Sequence, residues 1–117
     1  MFTSQNRNKL NWYKYMMITI ANKNRGQQGE YVGRGSPLGN PFKLKYDCGV
    51  ERERVIEQYR EWLYNKIQKG DPIIIDELER LLQIAKKGDL ELLCFCVPKQ
   101  CHAEVIKEVL ESWLEEY

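Results

Sequence analysis

The sequence predicts an α/β fold, a small single-domain Rossmann-like parallel sheet flanked by helices. Three observations predict it. The runs Tyr15–Ala21 and Leu90–Val97 are apolar at almost every position, as strands covered on both faces are. Stretches of helical period lie between and after them, and strands separated by helices pair in parallel through right-handed crossovers. At 117 residues, with no internal repeat, low-complexity tract or dividing linker, the chain holds one domain.

The elements follow in order. Residues 1–14, rich in Asn, Gln and Lys, read as a loose arm, and the domain occupies residues 15–117. The first strand, Tyr15–Ala21, carries Ile18, Thr19 and Ile20, whose β-branched side chains suit a pleated surface. Asn22–Glu30 has a loop composition. Gly33–Phe42 holds three glycines and two prolines in ten positions, which forbids a regular helix or central strand. Either Tyr31–Gly33 or Phe42–Tyr46 is available as an edge strand, and dimerisation into a homo-oligomer is another way to extend the sheet.

From Val50 a helical stripe runs through Val55, Ile56, Tyr59, Trp62, Leu63 and Ile67 until Gly70 ends it. Asp71 before Pro72 starts a second helix, an N-cap side chain ahead of proline at the first helical position. Leu78, Leu81, Leu82 and Ala85 face its core side, and Gly88 stops it. Leu90–Val97 is the best strand in the chain. Ala103, Ile106, Val109, Leu110, Trp113, Leu114 and Tyr117 define a closing amphipathic helix.

Charge excludes some functions. Lys+Arg 18 against Asp+Glu 17 leaves a formal net charge of +1, which removes the main electrostatic support for nucleic-acid binding. The longest apolar run, Leu92–Val97, is far short of the roughly 20 residues that cross a bilayer, so no membrane partner is expected. The polar stretch Met1–Lys9 does not read as a secretion signal, so the expected location is cytoplasmic, where the four cysteines stay thiols.

Two constellations carry chemistry. In the loop, Gly33, Gly35 and Gly39 free the backbone amides to point one way, while Arg34, Ser36 and Asn40 add a cationic fork, a hydroxyl and an amide. Such a set holds a phosphate, whose oxygens accept several hydrogen bonds and whose charge needs compensation. The spacing matches neither a P-loop nor a dinucleotide fingerprint, and a rigid structural turn is the plain alternative.

The second constellation is Cys94-Phe95-Cys96-Val97-Pro98-Lys99-Gln100-Cys101-His102. Strand period puts Cys94 and Cys96 on one face, and Pro98 ends the strand where α/β sheets build ligand crevices. Cys101 and His102 open the last helix, whose dipole favours a thiolate at Cys101. Zinc is one alternative, although the spacing lacks two separated knuckles and adjacent Cys and His do not easily both turn inward. Packing as a small hydrophobe is the plain reading of Cys94. A catalytic Cys and His pair is a third, with no orienting partner nameable from sequence. Arg52 and Arg54, among Glu51 and Glu53, are most simply a self-paired helix start.

Taken together, Tyr31-Val32-Gly33-Arg34-Gly35-Ser36-Pro37-Leu38-Gly39-Asn40-Pro41-Phe42 and Leu93-Cys94-Phe95-Cys96-Val97-Pro98 with Cys101-His102 resemble the signatures of domain-of-unknown-function family 4326, small proteins of bacteriophages and bacteria. Arg52-Glu53-Arg54-Val55-Ile56 with Tyr59 and Leu63 is similar to the segment between them. The resemblance spans Met17 to Leu110. It implies that Arg34, Ser36, Asn40, Arg52, Cys96, Cys101 and His102 line one site, and it supplies no activity.

Site chemistry therefore sets the expectation. It is a binding protein for a phosphorylated, nucleotide-like small molecule, in a phage setting a sponge that sequesters a host defence signal. Arg34, Gly35, Ser36, Gly39, Asn40, Arg52, Cys96, Cys101 and His102 form the ligand site, with no cofactor and no metal. One alternative is an enzyme acting on a nucleotide or NAD-derived substrate through Cys101 and His102. The other is a structural or interaction protein stapled by zinc.

Overall fold

Strand β3, Leu90–Cys94, is the central element, and its sequence explains why: four of its five residues are buried. Strand β1, Ile18–Asn22, lies parallel on one side, pairing Ile18 with Leu90 and Ile20 with Leu92. Strand β2, Glu30–Tyr31, lies parallel on the other, pairing with Leu92 and Leu93. The order is β1-β3-β2. These relationships come from a computed structural model, which describes residues 18–23, 29–45, 48–95 and 101–116.

Among the described residues, three helices join this sheet in a mixed α/β domain. Helix α1 spans Gly49–Gln68, α2 Pro72–Lys87 and α3 Ala103–Glu115. Helix α2 starts where the sequence dictates: the Asp71 carboxylate accepts from the Ile73 and Ile74 amides at 3.1 and 3.4 Å, satisfying donors that have no partner inside the helix. The sheet side chains that enter the core cluster are Ile18, Leu90, Leu92 and Cys94, which share one face by strand period and register. Tyr59 and Leu63 of α1, Leu78, Leu81 and Leu82 of α2, and Ile106, Leu110 and Leu114 of α3 meet them there. Burial of this many large side chains is the main stabilising term, since each contributes about 1.5–3 kcal/mol.

Polar ties fix the periphery. Arg80 of α2 reaches Glu30 of β2 at 2.7 Å and also pairs with Glu77, which pins the two-residue edge strand to the helix layer. Arg60 of α1 pairs with Glu108 of α3 at 2.8 Å.

Several expectations need adjustment. The parallel neighbours β1 and β3 are as read, but β1 runs on to Asn22, while residues 15–17 and the arm at 1–14 lie outside the described residues. Full burial of β1 is not observed: Thr19 is exposed, on the face opposite the core cluster. The last strand stops at Cys94 instead of Val97, because Phe95 bends away with half its surface exposed. Cys96 and Val97 lie outside the described residues. Of the two candidate edge strands, the chain uses the earlier one and starts it at Glu30.

Candidate functional site

Parallel strands deliver the segments that follow them to one edge of the sheet. Here the segment after β2 and the chain entering α3 meet at the carboxyl end of β3, beside the first turns of α1. Between them lies a pocket of about 430 Å³. Gly33, Arg34 and Asn40 line it from the loop, Arg52 from α1, Cys94 from β3, and Cys101 and His102 from the start of α3. Tyr31, Phe42, Leu44, Val55, Ile56 and Phe95 supply an apolar and aromatic wall.

The loop is held by its own side chains. Arg34 donates from its two terminal guanidinium nitrogens to the carbonyls of Asn40 and Phe42 at 2.8 and 2.9 Å. The Ser36 hydroxyl donates to the Gly33 carbonyl at 2.6 Å, and the Asn40 side-chain oxygen accepts from the Phe42 amide at 2.8 Å. Gly35 sits at φ +92°, a conformation that disfavours any side chain, and a Cβ on Gly39 would stand 2.6 Å from the Gly33 carbonyl. The Ser36 and Gly39 amides donate within the turn, to Gly33 and Ser36.

Tyr59 anchors this loop to α1. Its hydroxyl donates to the Leu38 carbonyl at 2.7 Å, and both residues are fully buried. Burial first, and then the repulsion a Cys101 thiolate would exert on a phenolate, hold the Tyr59 phenol well above its ordinary pKa, so it stays a donor. The edge of the same ring system meets His102, with ring centres 4.9 Å apart.

His102 is the buried polar side chain of the described core. Its Nε2 lies 2.6 Å from the Val32 carbonyl and its Nδ1 3.4 Å from Cys101 Sγ. A carbonyl only accepts, so the neutral imidazole carries its proton on Nε2 and turns the Nδ1 lone pair toward the thiol. Cys101 stands just before the N-cap residue of α3: the Ala103 amide donates to its sulfur at 3.5 Å, while Glu104 accepts from the Cys101 amide at 3.3 Å. Cys101 Sγ lies 3.0 Å from Cys94 Sγ.

Of the residues singled out from sequence, Arg34, Asn40, Arg52, Cys101 and His102 share the pocket. Gly35, Ser36 and Gly39 shape the loop behind it and do not line it. Cys96 lies outside the described residues. Sequence reasoning passed over Tyr59, Val32 and the aromatic pair Tyr31 and Phe95, whose rings meet edge to face at 5.7 Å. The signal for Tyr59 was a phenol within an apolar stripe, since a buried hydroxyl needs a partner. Among the described residues, no group of three or more His, Cys, Asp or Glu side chains is placed to hold a metal ion, and no helix is long and apolar enough to cross a membrane.

A model of the family described as Domain of unknown function (DUF4326) matches residues 18–112, a span that includes every residue lining the pocket. No curated protein and no solved structure matches the chain.

Proposed function

The chain belongs to the DUF4326 family, and from that premise we propose that it binds a phosphorylated, nucleotide-like small molecule in the pocket at the carboxyl end of its sheet. The observation that carries the reading is the pairing of cations with an aromatic wall in one cavity. Arg34 and Arg52 supply positive charge, and Tyr31, Phe42 and Phe95 supply flat apolar surface of the kind a base or other planar ring stacks on. A volume of about 430 Å³ falls within the range of small-molecule sites.

The electrostatics favour an anion there. Arg52 stands in the first turn of α1, where the helix dipole is positive and where Glu51 is engaged by Arg54 and the Lys45 amide. Lys23, 5.6 Å from the centre of the Tyr31 ring, adds positive charge at the end of β1. Two of the five guanidinium N–H groups of Arg34 serve the loop carbonyls, which fixes the fork and leaves the others for a ligand. The reading includes a Rossmann-like use of the fold, with the ligand at strand carboxyl ends. In a phage-infected cell such a protein would act in the host cytosol by sequestering a defence signal.

A second reading is an enzyme on the same class of ligand. The observation that favours it is the Val32 carbonyl, which orients His102 toward Cys101 as the third member of a nucleophile and base arrangement. Both readings are tested by denaturing freshly purified protein and weighing what it releases by mass spectrometry. A phosphorylated nucleotide-like compound is expected. Incubation with that compound then separates the readings: an unchanged compound supports sequestration, and a product supports the enzyme.

A further inference from the structure

The pocket floor holds chemistry that ligand binding does not use. Cys94 and Cys101 are both buried and both line the cavity, with their sulfurs 3.0 Å apart. A movement of about 1 Å brings them to the roughly 2.0 Å of a disulfide. One of the two is equipped for attack. Cys101 faces the Nδ1 lone pair of His102 at 3.4 Å and receives the Ala103 amide at the amino end of α3, an N–H that a thiolate accepts better than a thiol. His102 is fixed in this role because its other nitrogen is held by the Val32 carbonyl. Cys94 stands behind Cys101 on the rigid central strand, where a resolving thiol belongs.

We propose that Cys101 and Cys94 form a working dithiol that exchanges with low-molecular-weight disulfides entering the pocket, Cys101 attacking and Cys94 resolving. In the first step Cys101 passes its proton to His102 Nδ1 and attacks one sulfur of RS–SR. The S–S bond breaks, and the departing RS⁻ takes the proton from the imidazolium to leave as RSH. In the second step Cys94 attacks the mixed disulfide at Cys101, and its proton leaves with the second RSH. Two protein thiols are oxidised to a disulfide, and the small disulfide is reduced to two thiols. The inference stands apart from the nucleotide reading, since it concerns sulfur chemistry at the floor and requires no phosphate.

The test uses the full chain with hydroxyethyl disulfide as the probe and intact mass with peptide mapping as the readout. The wild-type protein is expected to lose two hydrogens and to yield a Cys94–Cys101 linked peptide. Cys94→Ser is expected to stop at a hydroxyethyl adduct on Cys101, because the second step is gone. The exposed Cys48 provides an internal reference rate. His102→Gln should slow the Cys101 reaction at least tenfold against Cys48, and native circular dichroism checks that this variant is folded. Linkage of any other pair, or a Cys101 that stays unmodified in Cys94→Ser while Cys48 reacts, overturns the proposal. If His102→Gln does not fold, the adduct in Cys94→Ser and the wild-type linkage decide it alone.

Discussion

His102 Nε2 lies 2.6 Å from the carbonyl oxygen of Val32, and this hydrogen bond joins positions 70 residues apart. It closes the site. Val32 follows the edge strand and leads into the loop, with its amide donating to the Leu93 carbonyl at 2.9 Å, while His102 is the N-cap residue of α3. One ring thereby sets the distance between the two segments that line the pocket. The same bond selects the tautomer that faces Cys101.

His102→Ala should therefore destabilise the fold by about 1–3 kcal/mol through the unpaired buried carbonyl of Val32, with the vacated ring volume adding to the loss. Urea denaturation followed by tryptophan fluorescence measures it. His102→Gln should recover part of this, since its amide reaches the same acceptor; equal losses in both variants would show that the bond to Val32 contributes little.

Tyr59→Phe removes the hydroxyl that holds Leu38 and leaves its buried carbonyl without that donor. The expected cost is again about 1–3 kcal/mol, and the amides of residues 33–42 should exchange faster with solvent. The pH dependence has a definite sign. The folded-state pKa of this phenol is raised, so its contribution is fully present below the unfolded value of about 10 and is lost progressively as pH rises beyond it. Wild-type denaturation midpoints should fall above about pH 10 more steeply than those of Tyr59→Phe. Parallel profiles would mean that the phenol ionises as freely in the folded protein as in the unfolded one.

Sequence pattern made the elements legible where burial is simple. Asp71-Pro72 marked the start of α2, and the apolar run from Leu90 marked the central strand, because caps and strand burial are local or nearly so. The end of that strand was not legible, since Phe95 is apolar yet leaves the core to meet Tyr31. Site chemistry divided in the same way. Glycine and arginine in the loop announced a shaped turn, but which groups face inward depends on contacts that pattern does not encode. Ser36 looks like a ligand donor and serves the Gly33 carbonyl instead, while Tyr59 looks like core and ties the loop down.

Arg34 has two duties, and a substitution separates them. Arg34→Ala loses both bonds to the loop carbonyls as well as a charge, so ligand affinity should fall at least tenfold and the loop amides should lose protection. Arg34→Lys keeps the charge without the fork that spans two carbonyls, and should restore affinity only in part. Full affinity in Arg34→Lys would show that charge alone matters at this position.

Calorimetric titration decides whether the cavity between Arg34 and Arg52 takes a phosphorylated nucleotide-like ligand. Purified protein is titrated with a panel of nucleotides, cyclic dinucleotides and ADP-ribose derivatives, alongside Arg52→Ala. A hydrogen bond to a charged group contributes about 1.5–3 kcal/mol, so removing Arg52 should weaken binding by tenfold or more. Saturable binding of at least one phosphorylated compound is expected, one per chain, with that loss in Arg52→Ala. No binding by any compound in the panel, or binding of equal strength in Arg52→Ala, would contradict it.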